Sequence, residues 1–355
     1  MLNDVKEKMR LLQVGVGGWG YSWASLVKQS PFWEAVGYVD ISTESLNLAA
    51  QTYGMDTKRC FTDIQIALRE LDFDAVLIVT PPETHYELVL KCLEEGKHVL
   101  VEKPLSNNID KAVEMARKSE KCKKKLMVSQ NYRFKRAVRT VKHVLESGLT
   151  GKPESLFVYF LKSPNFGVSN FRSRMENPLL MDMAIHHFDQ MRYLLGCNPL
   201  RVWARSYNPS WSWFKGDAVA DVIIEFEGDI QVSYHGSWVA RGYETTWDGN
   251  WKIECALGGI NWANNEVVFV PREIFNSVFN PGMFERDGKM VVELVPMEYE
   301  DRAYSLFEFY QAITLDRDPE TSGKDNLYTL ALTFGAIKSA QVGGWVYIDE
   351  IMAQK

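Results

Sequence analysis

The stretch Leu11-Leu12-Gln13-Val14-Gly15-Val16-Gly17-Gly18-Trp19-Gly20 decides the fold of the first part of this chain. Its glycines have the spacing G-x-G-x-x-G, between a short apolar run and a segment with helical character. The first glycine permits a tight turn, the second lets a pyrophosphate approach the backbone, and the third lets helix and strand pack closely. The N–H groups at the start of the helix then face the phosphates.

The surrounding sequence favours a dinucleotide site over a plain glycine-rich turn. Leu11–Val16 reads as a buried strand, Trp23–Lys28 as a helix and Glu34–Val39 as a second strand. Asp40 follows the second strand and lies 20 positions after Gly20, where a carboxylate can accept hydrogen bonds from ribose hydroxyls. The same carboxylate would repel the 2′-phosphate of NADP, so NAD is the expected cofactor. The expected cofactor residues here are Gly15, Gly17, Gly18, Trp19, Gly20 and Asp40.

Length and composition set the outer limits. The chain has 355 residues, which favours about two domains, and 46% hydrophobic and 24% charged residues are ordinary for a globular protein. A net charge of −6 argues against a nucleic-acid-binding surface. Five scattered cysteines without C-x-x-C spacing favour a reducing compartment. Without an apolar signal core or a membrane-length apolar run, the expected location is cytoplasmic.

Residues 1–130 alternate between strands and helices, which predicts a doubly wound α/β Rossmann domain. Short apolar runs such as Ala75–Val79 resemble strands covered on both faces. Ligands of such a sheet meet the carboxyl ends of its strands. Besides the glycine loop and Asp40, those ends carry Thr80-Pro81, Glu102-Lys103 and Gln130-Asn131.

Residues 131–355 have a different pattern and predict an α+β domain with a mostly antiparallel, open sheet and helices on one face. Ala218–Phe226 and Ile230–Tyr234 flank a Gly228-Asp229 turn. Trp251–Leu257 and Ile260–Trp262 flank Gly258-Gly259, which indicates a second hairpin. Apolar side chains on both faces of the first of these strands predict a homodimer or homotetramer built on the open face of the sheet.

Five segments of the chain form a combined pattern. They are the glycine loop, Val79-Thr80-Pro81-Pro82 with His85, Gly96–Leu105, Gln130-Asn131-Tyr132-Arg133-Phe134, and Asp182–Asp189. With these segments the chain resembles the glucose–fructose oxidoreductase, inositol dehydrogenase and rhizopine-catabolism (Gfo/Idh/MocA) family. The resemblance covers nearly the whole chain, and the Gly-Lys-His-Val strand followed by Glu-Lys-Pro is its most specific part. A departure is that Met175–Leu180 stands where members usually carry a glycine cluster.

The resemblance implies an oxidoreductase that binds a nicotinamide dinucleotide and acts on a polyol, a sugar or a related alcohol or ketone. It implies that Lys103, Asp182 and His186 are catalytic. Further cofactor contacts are expected along the strand ends and further substrate contacts beside the catalytic residues. The additional cofactor residues are Thr80, Pro81, His85, Glu102, Lys103 and Gln130, and the substrate residues are Lys103, Tyr132, Arg133, Arg172, Asp182 and His186.

The chemistry of these side chains fits those roles. A lysine held at a strand end can stabilise a developing alkoxide, although pairing of Lys103 with Glu102 is an alternative. Asp182 and His186 are four residues apart and would share one helix face, so the carboxylate can orient an imidazole that moves the hydroxyl proton. The alternative is that Asp182 and His186 only belong to the polar face of a helix. Asp182, His186 and Asp189 could hold a metal by residue type, but hydride transfer needs none and no metal is expected.

Other interpretations stay open at this stage. Tyr132 and Arg133 follow the last strand of the Rossmann domain and face either the substrate or the packing between domains. Either Arg172 or Arg174 forms a bidentate contact with an oxygen-rich group of the substrate, unless both side chains are solvated. An NAD-dependent glycosidase, which oxidises, eliminates and reduces again, is one alternative function. A ligand sensor without turnover is another, and the presence of Lys103, Asp182 and His186 argues against it.

Overall fold

The computed structural model describes residues 7–167, 169–271 and 290–353, which divide into two compact units. The first unit contains the described residues up to Asn131 together with Tyr299–Leu327. The second contains Tyr132–Glu298 and the chain from Tyr328 onward, as far as these are described. Sequence analysis grouped residues 131–355 together, whereas Tyr299–Leu327 packs within the first of these compact units.

The first unit is built on a parallel sheet. Within the described residues, six strands have the order β3-β2-β1-β4-β5-β6, and the helices between them make the crossovers. This is the doubly wound α/β architecture that the alternating sequence predicted. The elements are β1 Met9–Val14, α1 Trp19–Gln29, β2 Trp33–Val39, α2 Thr43–Tyr53, β3 Cys60–Phe61, α3 Ile64–Glu70, β4 Ala75–Ile78, α4 Pro82–Glu94, β5 His98–Glu102, α5 Ile109–Cys122 and β6 Leu126–Ser129.

Local capping explains where the helices of this unit begin and end. The Ser42 hydroxyl accepts a hydrogen bond from the Ser45 amide at the start of α2, and Gly54 ends that helix with a φ of 75°. One boundary differs from the sequence prediction, because helix α1 begins at Trp19 rather than Trp23. At the start of α3, the Asp63 side chain accepts a hydrogen bond from the Gln65 amide.

The second unit is built on a mostly antiparallel sheet. Nine described strands have the order β14-β13-β12-β11-β7-β10-β9-β8-β15, and only the β7–β10 pair is parallel among them. In chain order, the helices and strands of this unit before Glu298 are α6 Arg136–Glu146, β7 Pro153–Leu161, α7 Ile185–Leu195, β8 Pro199–Tyr207, β9 Val219–Phe226, β10 Ile230–Ser237, β11 Asn250–Cys255, β12 Gly258–Ala263, β13 Glu266–Pro271 and β14 Met290–Val292.

Strand β9 shows how this sheet is covered. Val222, Ile224 and Phe226 are buried, whereas Ile223 between them is 40% exposed. The strand therefore has one face in the core and one open face, as its alternation predicted. The second predicted hairpin is shifted, because the turn lies at residues 256–257 and Gly258 starts β12. Gly258 serves close packing there, since a Cβ would lie 2.6 Å from the Val270 carbonyl oxygen.

Helix α8, Asp301–Thr314, belongs to the first unit although it follows the second sheet in sequence. The ring of Trp33 on β2 stacks on Phe309 with centroids 5.4 Å apart. The Trp33 indole nitrogen donates to the Leu306 carbonyl oxygen at 2.8 Å. Burial of such large side chains, each contributing roughly 1.5–3 kcal/mol, explains why α8 packs here.

The chain ends with α9 Gly323–Val342, β15 Val346–Tyr347 and α10 Ile348–Met352. Strand β15 forms the edge of the nine-stranded sheet by pairing antiparallel with β8. Among the helices of the described residues, none has the length and apolar character needed to cross a bilayer.

Candidate active site

The glycine loop between β1 and α1 requires glycine at two of its positions. Gly15 has a φ of 87°, and a Cβ there would lie 2.5 Å from the Val79 carbonyl oxygen. A Cβ on Gly20 would lie 2.3 Å from the Gly15 carbonyl oxygen. Real Cβ atoms do not approach oxygen so closely, so any larger residue would displace the loop. The loop thus brings β1, the end of β4 and the start of α1 into close contact.

Asp40 lies at this loop, as the sequence predicted. Its Oδ2 accepts hydrogen bonds from the amides of Val16 and Gly17 at 2.9 and 3.1 Å, and its Oδ1 accepts from the Ser42 amide at 2.9 Å. Carboxylate oxygens have further acceptor capacity for ribose hydroxyls. In the part of the chain that the structure describes, the amides of Gly18 and Trp19 have no hydrogen-bond acceptor. They are therefore available to an anion at the start of α1.

Glu102, a predicted cofactor residue, is buried and hydrogen-bonded to the glycine loop. Its Oε1 accepts from the indole nitrogens of Trp19 and Trp23 at 3.0 and 2.8 Å, and its Oε2 accepts from the Lys103 amide at 3.1 Å. Burial raises the pKa of Glu102, while the Lys103 charge and the indole hydrogen bonds lower it. The carboxylate thus orients Trp19, which remains 57% exposed beside the glycines.

His85, another predicted cofactor residue, contacts two backbone carbonyl groups. The imidazole is fully buried, with Nδ1 2.9 Å from the Pro104 carbonyl oxygen and Nε2 2.9 Å from the Thr80 carbonyl oxygen. Burial lowers the pKa of His85, while these backbone contacts raise it. The ring therefore fastens two strand-end segments to each other, one of them the segment that follows Lys103.

The remaining strand ends carry polar groups that a ligand can use. The Thr80 hydroxyl accepts from Thr84 at 2.7 Å, and Pro81 is exposed at the start of α4. Gln130 is 1% exposed, yet neither atom of its side-chain amide has a hydrogen-bond partner among the described residues. Such an amide is costly to leave unsatisfied. Together with the glycine positions and the two available amides, it fits a bound dinucleotide.

In the second unit, Asp182 lies in a π-helical turn, Leu179–Ala184, that leads directly into α7. The sequence predicted one regular helix face shared by Asp182 and His186. The structure corrects this, because the wider turn ends at Ala184 and His186 lies just inside the α-helix. π-Helical turns are rare and occur frequently at functional sites.

Arg172 forms an ion pair with Asp182, with 2.5 Å between Nε and Oδ2. Its guanidinium also lies over the rings of Phe171 and Phe166, at 4.6 and 5.2 Å from their centroids. Arg174 instead donates to the Ser169 carbonyl oxygen and is exposed. Arg172 is therefore the arginine of this loop that reaches a predicted catalytic residue. Its partner is a protein carboxylate, which differs from the substrate contact expected from the sequence.

His186 is 6% exposed and is held by an aromatic stack. The ring of Tyr132 lies parallel to it, with a centroid distance of 4.3 Å and an interplanar angle of 16°. Lys135 places its Nζ 3.5 Å from the centre of the Tyr132 ring and forms a 2.8 Å ion pair with Asp248. Sequence analysis found Tyr132 but missed Lys135. The signal available in the sequence was that Tyr132 and Lys135 lie three residues apart, just before α6.

Arg133, a predicted substrate residue, is buried in the second unit. It forms a bidentate pair with Asp189, with Nε–Oδ2 at 2.9 Å and Nη2–Oδ1 at 2.6 Å. The Thr329 hydroxyl also donates to Asp189 Oδ1 at 3.1 Å. A protein carboxylate thus uses two donors of the guanidinium, and the substrate contact of Arg133 stays a prediction. The described residues contain no His, Cys, Asp and Glu cluster suited to a metal.

His187 has a separate, structural role. It is fully buried, with Nδ1 3.2 Å from the Tyr234 hydroxyl and Nε2 3.1 Å from the Trp247 carbonyl oxygen. Burial lowers the pKa of His187 to about 3, and the charge of Lys135 acts in the same direction. Two adjacent histidines thus have different surroundings, and only His186 belongs to the aromatic stack with Tyr132.

Comparison with known proteins identifies both parts of the chain. Residues 9–130 match the family model described as oxidoreductase family, NAD-binding Rossmann fold, and residues 138–261 match the GFO/IDH/MocA C-terminal domain. Myo-inositol 2-dehydrogenase from Thermotoga maritima is 30% identical, over 97% of this chain and 100% of its own. 1,5-Anhydro-D-fructose reductase from Ensifer adhaerens is 23% identical, over 85% and 88%.

The fold also matches solved structures. An oxidoreductase from Agrobacterium radiobacter in complex with NAD⁺, L-tartaric acid and magnesium superimposes with a TM-score of 0.86, at 21% identity, over 97% of this chain and 100% of that one. At this identity the likeness establishes the fold of both units.

Proposed function

The chain belongs to the GFO/IDH/MocA family of oxidoreductases and has an NAD-binding Rossmann domain, and from this premise we propose the reaction that it catalyses. The reaction is hydride transfer between nicotinamide and a secondary alcohol, or its ketone, on a sugar, polyol or related compound. Relatives named as an inositol dehydrogenase and an anhydrofructose reductase support this substrate class.

The observation that carries the proposal is the setting of His186. A buried imidazole, stacked on Tyr132 at the junction of a π-helical turn and α7, has a fixed ring plane. A fixed imidazole is suited to take a hydroxyl proton in the oxidation direction and to return it in reduction. When bound, NAD supplies the hydride acceptor or donor. The chain itself supplies the proton transfer through His186.

Lys103 and Asp182 complete the proposed catalytic residues. Lys103 follows β5, and its ammonium group is suited to stabilise the substrate oxygen as negative charge develops. Asp182 carries the charge that favours the protonated imidazole during turnover, and its ion pair with Arg172 fixes the carboxylate. Arg172 is thus proposed as a positioning residue. Tyr132 is proposed to line the substrate site through its stack on His186.

Asp40 supports a preference for NAD over NADP. Its carboxylate is fixed by three backbone amides at the glycine loop, and Ile41-Ser42-Thr43 offers no arginine for a 2′-phosphate. A second negative charge beside it would be disfavoured. Gly15, Gly17, Gly18, Trp19, Gly20, Thr80, Pro81 and Gln130 are proposed as the other cofactor residues.

The open face of the nine-stranded sheet supports assembly into a homodimer or homotetramer. Phe157 and Tyr159 on β7 and Ile223 on β9 are 36%, 54% and 40% exposed, on the two strands that flank β10. Apolar side chains grouped on one face of a sheet favour association, and an obligate interface buries on the order of 2,000 Å² or more. Light scattering at micromolar concentration should give a mass of at least two chains. A monomer mass would contradict this assembly.

Substitution of the proposed catalytic residues tests the reaction. Lys103→Ala and His186→Ala should each lower kcat by roughly 10²–10⁴-fold, the usual contribution of a general acid or base. Both should bind NAD within about tenfold of the wild type, because the adenosine and pyrophosphate contacts are unchanged. Near-normal kcat in His186→Ala would contradict the assignment of the base.

A further inference from the structure

Arg302, in the first turn of α8, lies beside the glycine loop of the same unit. Its guanidinium carbon is 4.1 Å from the centre of the Trp19 ring and 5.4 Å from that of Trp23. Its Nη1 donates to the Ser22 hydroxyl at 2.7 Å. Because Trp19 and Ser22 form the first turn of α1, the arginine is fixed at the end of the helix where an anion binds.

No carboxylate pairs with this cation among the residues that the structure describes. Two other arginines have such partners, since the buried Arg133 pairs with Asp189 and the partly exposed Arg317 with Glu308. A guanidinium has five N–H donors, and Ser22 accepts only one hydrogen bond from Arg302. Burial lowers the pKa of Arg302, while the charges of Asp301 and Glu102 raise it. The remaining donors therefore suit an anion from outside the protein.

The glycine loop alone offers little positive charge to a pyrophosphate. Residues 15–20 contain no lysine or arginine. Two loop amides, those of Val16 and Gly17, already donate to Asp40. Of the loop amides described above, those of Gly18 and Trp19 are available, and two neutral donors do not balance two phosphate charges. A cation beside the first turn of α1 would supply the positive charge that the loop lacks.

We propose that Arg302 is a cofactor-binding residue whose guanidinium, held by Trp19 and Ser22, binds the pyrophosphate of the dinucleotide. The inference rests on the NAD-binding domain and not on the alcohol chemistry proposed above. Trp19 then has two functions, because its indole nitrogen is anchored by Glu102 and its ring carries the arginine. No local pattern indicates this pairing, since Trp19 and Arg302 lie near opposite ends of the chain.

Calorimetric titration of three ligands separates the pyrophosphate from the rest of the cofactor. Wild type and Arg302→Gln are titrated with adenosine, ADP-ribose and NAD⁺, without any substrate. Loss of a charged hydrogen-bonding pair should weaken ADP-ribose and NAD⁺ binding by roughly tenfold to a hundredfold. Adenosine binding, measured by competition, should stay within about twofold of the wild type, because adenosine has no phosphate. The affinities of Arg302→Lys for ADP-ribose and NAD⁺ should lie between those of the wild type and Arg302→Gln. The lysine keeps the positive charge but not the planar arrangement of donors.

A matched control and a second variant keep the result interpretable. Arg69→Gln removes one positive charge from an exposed position on α3 and should leave all three affinities unchanged. If Arg302→Gln does not fold, Arg302→Met keeps the packing of the side-chain stem on the indole rings. Equal weakening of adenosine and ADP-ribose would overturn the proposal in favour of a purely structural arginine. Unchanged ADP-ribose binding, with or without a loss for NAD⁺, would overturn it as well. None of these outcomes depends on turnover, so failure of the proposed reaction would be seen separately.

Discussion

The glycine loop of the first unit and the Leu179–Ala184 turn of the second unit are built in different ways. The loop depends on the backbone, because a Cβ added to Gly15 or to Gly20 would lie within 2.6 Å of a carbonyl oxygen. The turn depends on side chains, because Arg172 holds Asp182 and Tyr132 holds His186. A site built from the backbone requires a fixed spacing of residues, which can be recognised in the sequence. A site built from side chains can be recognised only by its residue types, because the interacting partners come from distant positions.

The same difference separates the tasks proposed for the two regions. Backbone amides, an aspartate and glycine packing are suited to hold a dinucleotide without reacting with it. An imidazole between a carboxylate-bearing turn and an aromatic ring is suited to move a proton. Substitutions in the first region should therefore change cofactor affinity, and substitutions in the second should change the rate of turnover.

The largest effect should come from His186→Ala. Loss of the general acid or base is expected to lower kcat by roughly 10²–10⁴-fold while NAD⁺ affinity changes by less than about tenfold. Steady-state rates and calorimetric titration of NAD⁺ measure the two quantities. His187→Gln is the matched control, because it removes the neighbouring imidazole and should retain most of the wild-type kcat. If the two variants lose activity equally, the two histidines do not have the separate roles described here.

Gly20→Ala should have the opposite signature. The added Cβ would lie 2.3 Å from the Gly15 carbonyl oxygen, so the loop must move. Such overpacking typically costs about 1–3 kcal/mol, which corresponds to NAD⁺ binding weaker by roughly tenfold to a hundredfold. At saturating NAD⁺ the kcat should be largely recovered. Gly344→Ala provides the control, because Gly344, like Gly20, has no positive φ, and a Cβ there would meet no neighbouring atom within 4 Å. Equal loss of affinity in both variants would contradict the role given to close packing.

Asp40→Ser should narrow the preference for NAD over NADP. The wild type should bind NAD at least about tenfold more tightly, because the 2′-phosphate of NADP would meet the fixed carboxylate. The serine variant should bind NAD less tightly, since it loses the acceptors for the Val16 and Gly17 amides, and should bind NADP better relative to NAD. Titration of both cofactors with both proteins measures this. Tighter NADP binding by the wild type would show that Asp40 does not select the cofactor.

His187 predicts a smaller, pH-dependent effect on stability. Its folded-state pKa of about 3 lies below the ordinary value of 6.5, so the unfolded chain binds the proton more readily. The stabilisation is therefore complete above pH 6.5 and is lost as the pH falls toward 3. Between pH 7.5 and 5.5 the loss should be about 1.4 kcal/mol in the free energy of unfolding. Urea titrations should show that this part of the acid-induced loss disappears in His187→Gln. An unchanged slope would mean that the buried histidine does not titrate on unfolding.

Sequence analysis predicted the fold of both units because their patterns are local. The glycine loop lies between β1 and α1, and Asp40 follows β2, as their spacing predicted. The grouping of Tyr299–Leu327 with the first unit could not be predicted in this way, because the packing of Trp33 against α8 joins residues far apart in sequence. No local pattern records such a contact.

The site was predicted less completely than the fold, for a related reason. The glycine loop and Asp40 could be found from spacing, whereas the partners of charged residues could not. Glu102 accepts a hydrogen bond from the Trp19 indole, and His85 lies between two carbonyl oxygens, which the spacing did not indicate. The pairing of Arg133 with Asp189 was not indicated either. A residue's type and strand-end position indicate a functional region, and only packing shows which side chains face it.

The most direct test of the central claim is a substrate screen read by nicotinamide absorbance. Purified protein is incubated with NAD⁺ or NADH and a panel of polyols, sugars and sugar acids, or the corresponding ketones, together with His186→Ala as the control. The account predicts net formation or consumption of NADH by the wild type with at least one compound, and a rate lower by roughly 10²–10⁴-fold in the variant. Release of an aglycone from a glycoside without a net change in NADH would contradict the proposed reaction and indicate a redox-dependent glycosidase. Bound NAD⁺ without turnover of any compound would instead support a ligand sensor on the same fold.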